Sequence, residues 1–179
     1  MTQSINDKIK ENHIIFLTSG MDAKATNEAI LDIMSWNKAS KDIEINLYIS
    51  ACSLDFINTM ALYDVLNSID NPIAAYCLGH VGGFSTAFIT LAKPGKRYAL
   101  KHTVISLNQP MGMIQTGVNQ QTEVEIEAIE TSKQRKVFEE LLAKALNKPF
   151  DEIHQLVEID KEFIASEAKE YGFIDEVLE

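Results

Sequence analysis

Residues 73–92 read IAAYCLGHVGGFSTAFITLA, and this stretch decides the fold. Its first part, Ile73 to Leu78, is a short apolar run typical of a buried strand. Three glycines follow, namely Gly79, Gly82 and Gly83. Clustered glycines predict a turn, and a second apolar run begins directly after it at Phe84. The stretch therefore predicts a central strand, a tight turn and a second buried element.

Strand and helix patterns alternate on the N-terminal side of this stretch. The predicted elements are a strand at Ile14–Leu17, a helix from Asp22 to Trp36, a strand from Ile43 to Ile49 and a helix from Ile57 to Val65. Repeated strand–helix units predict an α/β fold, in which a largely parallel sheet carries helices on its faces. Because no internal repeat or linker interrupts the pattern, one domain is predicted.

The C-terminal side holds shorter elements and one long helix. The predicted elements are strands at Arg97–Leu100 and Thr103–Leu107, a helix from about Val118 to Leu146, short helices near Asp151–Val157 and Ser166–Tyr171, and a strand near Phe173–Val177. The long helix is highly charged, and its apolar stripe is thin in the first half. Two interpretations stay open: a solvated surface helix held by ion pairs, or a helix that projects to pair with a copy of itself.

Composition excludes several classes of function. The chain has 179 residues with 16 Lys+Arg and 26 Asp+Glu, a net charge of −10 that disfavours binding to nucleic acid or anionic lipid. Cys52, Cys77 and four histidines form no zinc pattern, and neither a metal nor a cofactor is predicted. The stretch from Met1 to His13 does not resemble a secretory signal, and no apolar run approaches the ~20 residues of a membrane-spanning helix. We therefore expect a soluble, cytoplasmic protein.

Motifs spread along the chain carry a family resemblance. They are Ile14-Ile15-Phe16-Leu17, Leu47-Tyr48-Ile49, Ala61-Leu62-Tyr63-Asp64, Cys77-Leu78-Gly79, Pro94-Gly95-Lys96-Arg97-Tyr98-Ala99-Leu100, Asn108-Gln109-Pro110, Glu167-Ala168-Lys169-Glu170-Tyr171-Gly172 and Ile174-Asp175. In this order they resemble the proteolytic subunit of the Clp protease (ClpP), a serine peptidase of the ClpP/crotonase superfamily. The resemblance implies a spiral of β-β-α units with a protruding handle helix. It implies a single domain over residues 1–179, with a short N-terminal segment at 1–13 and the handle at 111–146.

The resemblance also locates the three positions of the family's catalytic triad. Counted from Cys77-Leu78-Gly79, the nucleophile position is Gly83, which has no side chain to attack a carbonyl. The position of the base, before Gln109, is Asn108, whose amide does not accept a proton at neutral pH. The orienting acid falls on Asp160 and is retained, but it has no histidine to orient. We therefore expect no functional catalytic residue at these positions.

The oxyanion-binding region departs from the family as well. Members carry Ser-Pro-Gly-Gly after the Tyr-Ile strand, whereas this chain has Ala51-Cys52-Ser53-Leu54. The resemblance places the two N–H donors at Leu54 and Phe84, each behind a bulkier side chain than usual. This change adds to the expectation that peptidase activity is lost.

A relocated active site is the alternative. The candidate nucleophiles are Ser85, Ser53, Cys52 and Ser106, and the nearby bases are His80 and His102. A catalytic nucleophile has to contact its base. Ser85 follows Gly83 by two positions, so on a helix its side chain would point away from the direction of the family's nucleophile. The simpler interpretation is that Ser85 and Thr86 bond to their own helix backbone and that the histidines are ordinary turn residues.

The resemblance predicts assembly and partners. It implies heptameric rings that stack in pairs through the handle, so the chain is expected to form homo-oligomers or to join active ClpP paralogues, as inactive ClpR-type subunits do. The family docks its Clp ATPase through an N-terminal axial loop and aromatic-lined clefts, and we expect this docking to be weak here. The stretch before Ile14 lacks much of the axial loop. Tyr48 is retained at one cleft position, but Asn46 and Ser68 stand where aromatic residues are usual. Two other functions stay open: an active ATP-dependent Clp-type endopeptidase with a displaced site, and a crotonase-like enzyme that binds acyl-CoA.

Overall fold

The computed structural model describes residues 5–19, 21–51, 55–110 and 121–179. The α-helices in these ranges are α1 (Ile5–Glu11), α2 (Ala23–Ala39), α3 (Phe56–Ser68), α4 (Gln121–Leu146), α5 (Phe150–Glu158) and α6 (Ala165–Tyr171). The strands are β1 (Ile14–Thr18), β2 (Ile45–Ser50), β3 (Ile73–Cys77), β4 (His80–Gly82), β5 (Arg97–Leu100), β6 (Val104–Ser106), β7 (Glu162–Ile164) and β8 (Glu176–Leu178). A 3₁₀ helix, Gly83–Leu91, follows β4.

A five-stranded parallel sheet forms the centre of the fold and confirms the predicted α/β class. Its strand order is β1-β2-β3-β5-β8, and every neighbouring pair is parallel. Ile45, Leu47 and Ile49 of β2 are fully buried, while Asn46 and Tyr48 between them are partly exposed. This is the two-residue alternation that the sequence predicts for this strand.

A second, three-stranded sheet, with the order β4-β6-β7, was not predicted. Strand β4 is parallel to β6, and β7 is antiparallel to it. The glycine cluster is therefore only partly a turn: Gly79 and Gly83 have positive φ angles of 60° and 55°, and β4 lies between them. The strand forms because Val81 is fully buried while its backbone pairs with β6.

The helices cover the sheets with apolar side chains. Asp22 and Asp55 cap α2 and α3, since each carboxylate accepts an N–H three residues later, at 2.8 and 2.9 Å. The 3₁₀ helix is almost wholly buried, and Phe88 is among the largest fully buried side chains. None of the helices in the described ranges is long and apolar enough to span a membrane.

Helix α4 has 26 residues and packs on the rest of the molecule only near its C-terminal end. Its buried residues are Phe138, Glu139, Leu142 and Ala143. In the first half Ile126 and Ile129 are 56% and 55% exposed. The prediction that the apolar stripe of this helix is thin in its first half is thus confirmed for residues 121–146. Residues 111–120 of the predicted handle lie outside the described ranges.

Candidate functional site

The position predicted for a nucleophile, Gly83, lies where β4 passes into the 3₁₀ helix. Its φ angle of +55° belongs to the left-handed region, which glycine adopts without steric cost. The preceding residue, Gly82, is buried, and a Cβ atom on it would lie 3.0 Å from Asn108 Oδ1. The fold therefore brings the residue directly before the predicted nucleophile position next to the position predicted for the base.

The amide of Asn108 is held by a neighbouring hydroxyl. The Ser106 hydroxyl donates to Asn108 Oδ1 at 2.5 Å, two residues along the same segment. An amide oxygen accepts hydrogen bonds but takes up no proton at neutral pH. Asn108 thus orients a hydroxyl and provides no base.

Asp160 lies in the turn after α5, beside the segment that carries Asn108. Its Oδ1 accepts the backbone N–H of Gln109 at 3.0 Å, and its φ angle is +48°. Asp160 is exposed, and its carboxylate accepts a backbone hydrogen bond from the segment that carries Asn108. The three positions predicted for a triad therefore lie at one place in the fold.

An imidazole–hydroxyl contact lies directly beside these positions. His80 Nε2 is 2.8 Å from Ser106 Oγ, across the paired strands β4 and β6. Because the Ser106 proton is directed to Asn108, the hydroxyl oxygen accepts from His80 Nε2–H in this arrangement. Sequence reasoning named both residues as candidates but not their pairing, and His80 is a strand residue instead of the turn residue expected.

Ser106 is fully buried, and its place depends on a glycine. A Cβ atom on Gly82 would lie 2.4 Å from Ser106 Oγ, closer than real side chains approach. The hydroxyl therefore occupies the space left free by Gly82. A buried hydroxyl that donates to an amide offers no open path to a carbonyl substrate.

Among the residues that the structure describes, Ser85, Thr86 and Cys77 each have a structural role. Ser85 is fully buried and donates to the carbonyl of Gly82 at 2.7 Å and to that of Ala51; Thr86 donates to the carbonyl of Gly83 at 2.8 Å. This confirms the predicted bonds to local backbone. Burial raises the pKa of the Cys77 thiol to about 12, so the thiol stays protonated at neutral pH.

The structure describes only one of the two positions predicted for oxyanion donors. Leu54, together with Cys52 and Ser53, lies outside the described residues. The ring of Phe84 is buried in the core, where it packs edge-on against Phe56 and Phe138 with centroid distances of 5.2 Å. The Phe84 ring is therefore part of the hydrophobic core.

A row of aromatic rings crosses one face of the five-stranded sheet. Phe16, Tyr48, Tyr76 and Tyr98 occupy matching register positions on β1, β2, β3 and β5. Successive ring centroids are 5.1, 4.7 and 5.0 Å apart. Burial, with the neighbouring Tyr48 and Tyr98, raises the pKa of Tyr76. We call these four residues the aromatic row; the sequence singled out only Tyr48.

Within the described ranges no group of three or more His, Cys, Asp or Glu side chains is placed to hold a metal ion.

Comparison with known proteins gives one consistent result. The family model described as Clp protease matches residues 1–179. The ATP-dependent Clp protease proteolytic subunit 1 of Rhodococcus jostii is 33% identical over 174 residues, which cover 97% of this chain and 78% of the relative. Subunit 2 of Frankia casuarinae is 31% identical over 171 residues, covering 96% and 77%. Subunit 2 of Corynebacterium jeikeium is 30% identical over 174 residues, covering 97% and 82%.

Proposed function

The chain belongs to the Clp protease family, and from this premise we propose that it is a ring-forming Clp subunit without peptidase activity of its own. Its role is structural or regulatory: it forms rings with itself or with active relatives. The observation that carries the proposal is the pair of residues at the positions predicted for the nucleophile and the base. Gly83 supplies no attacking atom, and Asn108 holds the Ser106 hydroxyl through an amide that does not titrate.

The exposed half of α4 supports the assembly part of the proposal. Ile126 and Ile129 are more than half exposed, on a helix whose opposite end is anchored in the core. Exposed apolar side chains on a projecting helix are typical of a surface that is buried in an assembly. We assign this helix, with the rest of residues 111–146, to the contact between stacked rings, as the family resemblance implies.

The decisive experiment combines assembly with labelling of active serines. The chain is co-expressed with an active Clp proteolytic subunit, and the complex is weighed by native mass spectrometry and treated with a fluorophosphonate probe. We expect mixed rings in which only the active relative is labelled, and this relative serves as the positive control. A chain that is monomeric under all conditions and binds no active relative would contradict the proposal.

A second candidate function is a peptidase with a displaced site, because His80 Nε2 lies 2.8 Å from Ser106 Oγ. Against it stand the complete burial of Ser106 and the donation of its proton to Asn108. Ser106→Ala separates the two functions. We expect no cleavage of a fluorogenic peptide and no probe labelling by either the natural chain or this variant. Labelling of the natural chain that Ser106→Ala abolishes would establish the displaced site.

Restoring the family residues gives a companion test. The variant Gly83→Ser/Asn108→His should not regain full activity, because the new imidazole would replace the amide that now accepts the Ser106 hydroxyl and because the backbone at 83 is left-handed. Full peptidase activity would show that only the triad had been lost and that the remaining cleft is intact.

A further inference from the structure

Three of the four rings in the aromatic row are tyrosines, and the register of the parallel sheet stacks them. Tyr48 pairs with Tyr76, and Tyr76 pairs with Tyr98. Side chains at paired positions of neighbouring parallel strands project from the same face, about 4.8 Å apart. The ring centroids accordingly lie 4.7 and 5.0 Å apart, with interplanar angles of 16° and 22°. Tyr76 is thus the central ring of a stack of three tyrosines.

The other two of the chain's five tyrosines lie outside this stack. Tyr171 packs on Phe173 and Phe163, with centroid distances of 5.4 and 5.0 Å. Tyr63 packs against the hydrophobic core. Among the described residues, close contacts between tyrosine rings therefore occur in the aromatic row, and Tyr76 takes part in both of them.

The stack is open to reagents in solution and carries its phenolic protons at neutral pH. Tyr48, Tyr76 and Tyr98 are each partly exposed, so a small oxidant can reach the rings. Burial is the main cause that raises the pKa of Tyr76, and the neighbouring Tyr48 and Tyr98 add to it. Oxidation of Tyr76 by one electron therefore also releases its proton.

We propose that Tyr76 is the centre of an oxidative cross-linking site, at which a one-electron oxidant joins it to Tyr48 or Tyr98 as dityrosine. Each of the two phenols loses one electron to the oxidant and one proton to water. The two phenoxyl radicals couple through ring carbons ortho to the hydroxyl groups, and the hydrogens of these carbons pass to the phenolic oxygens. Two oxidant molecules are reduced, and one carbon–carbon bond forms. Stacking favours the coupling because the second radical forms beside the first.

The bond would change the mechanical connection between the strands. A link from Tyr48 to Tyr76 joins β2 to β3 and closes the loop that contains α3. Closing a loop lowers the entropy of the unfolded chain and so stabilises the folded one. This chemistry requires neither ring assembly nor the loss of peptidase activity, so its test is independent of the proposed function.

The test locates the cross-link by mass spectrometry. The full chain is oxidised briefly with photogenerated tris(bipyridine)ruthenium(III), and the band of monomer mass is isolated under denaturing conditions, which excludes links between subunits. Asp-N protease and trypsin together give peptides with one tyrosine each: 42–54 with Tyr48, 55–63 with Tyr63, 70–96 with Tyr76 and 98–101 with Tyr98. We expect peptide 70–96 linked to 42–54 or to 98–101, with the loss of two hydrogen atoms. Links to 55–63 should be at least about tenfold rarer.

Matched variants assign the reaction to the stack. Tyr76→Phe keeps the ring but removes the hydroxyl, and it should lower the dityrosine fluorescence of the monomer band at least about tenfold. Tyr63→Phe is the control and should leave this fluorescence unchanged, while Tyr98→Phe should retain the link to Tyr48. Oxidation in urea, where the strands no longer pair, should give as little product as Tyr76→Phe. Absence of these links in the natural chain, undiminished dityrosine in Tyr76→Phe, or equal yields in the folded and unfolded chain would overturn the proposal.

Discussion

Gly82 and Ser106 pair directly between β4 and β6, and the absent side chain of one makes room for the hydroxyl of the other. Gly82→Ala should therefore lower the free energy of unfolding by about 2 kcal/mol, because the new methyl group would meet Ser106 Oγ at 2.4 Å. Urea unfolding followed by circular dichroism measures the change.

The matching double variant tests the cause of this loss. In Gly82→Ala/Ser106→Ala the clashing oxygen is gone, so the double variant should be at least about 1 kcal/mol more stable than the sum of the single effects predicts. Strictly additive effects would show that Gly82 is needed for a reason other than contact with Ser106.

Asp175 joins the end of the chain to β5 and gives a pH-dependent prediction. Its carboxylate accepts hydrogen bonds from Nε of Arg97 at 2.9 Å and from Nη2 at 2.5 Å, and it also accepts the N–H of Gly95 at 2.8 Å. The hydrogen bond from the Arg97 side chain is the main cause that lowers the pKa of Asp175 in the folded chain, and burial opposes it. A lowered folded-state pKa stabilises the fold above the unfolded value of about 4, and this stability is lost as the pH falls through the folded value.

Asp175→Asn should therefore lower the free energy of unfolding by about 2 kcal/mol at neutral pH. The difference in this free energy between the variant and the natural chain should shrink below about pH 4. Urea unfolding over a pH series measures both. Asp70→Asn is the control, because Asp70 is exposed and 3.4 Å from Lys41, so its effect should stay below about 0.5 kcal/mol. A loss in Asp175→Asn that is the same at every pH would contradict the assignment.

The residues of the candidate site show what the sequence could and could not provide. Gly83, Asn108 and Asp160 were predicted as triad positions by counting from neighbouring motifs; the fold brings the segments that carry them together, and their role stays a prediction. The contact between His80 and Ser106 was not predicted, because these residues lie 26 positions apart in the chain and meet only through the register between two strands. Local periodicity carries no information about such a register.

At the scale of elements, most of the helices and strands were predicted, but several of the shortest were missed. The predicted strand Arg97–Leu100 is β5, and the predicted helix from Asp22 to Trp36 is α2 with Asp22 as its cap. The short elements α1, β4 and β7 were missed, and the last strand begins at Glu176 instead of Phe173. Strands of three residues hold too few side chains for a period and are fixed by their partners in the sheet.

Helix α4 gives a prediction at the scale of an element. Ile129→Ser should convert stacked double rings to single rings, because it removes an exposed apolar side chain that is repeated in every subunit, each worth about 2 kcal/mol when buried. Gel filtration with light scattering distinguishes the two states. Leu31→Ser on α2, an apolar position on another helix that is also more than half exposed, is the control and should keep the double ring. Unchanged double rings in Ile129→Ser would remove this part of α4 from the contact.

At the scale of the whole molecule, the parallel register of four strands produces the aromatic row. Phe16, Tyr48, Tyr76 and Tyr98 come from distant parts of the chain, and they line up because their strands pair in register. The family resemblance places ATPase docking at aromatic clefts, and Asn46 and Ser68 interrupt that pattern in the sequence. Asn46 lies two residues before Tyr48 on β2 and points to the same partly exposed face.

Rings of this chain alone should therefore bind a Clp-family ATPase weakly, although the aromatic row is present. Asn46→Tyr/Ser68→Phe should strengthen binding at least about tenfold, since aromatic anchors carry most of the energy of such interfaces. Tyr98→Ala in the same background should reverse part of the gain, because it shortens the row next to Tyr76. Co-sedimentation or interferometry with the ATPase measures all three. Tight binding by the natural chain would show that the row alone is sufficient for docking, and the expectation drawn from Asn46 and Ser68 would then be wrong.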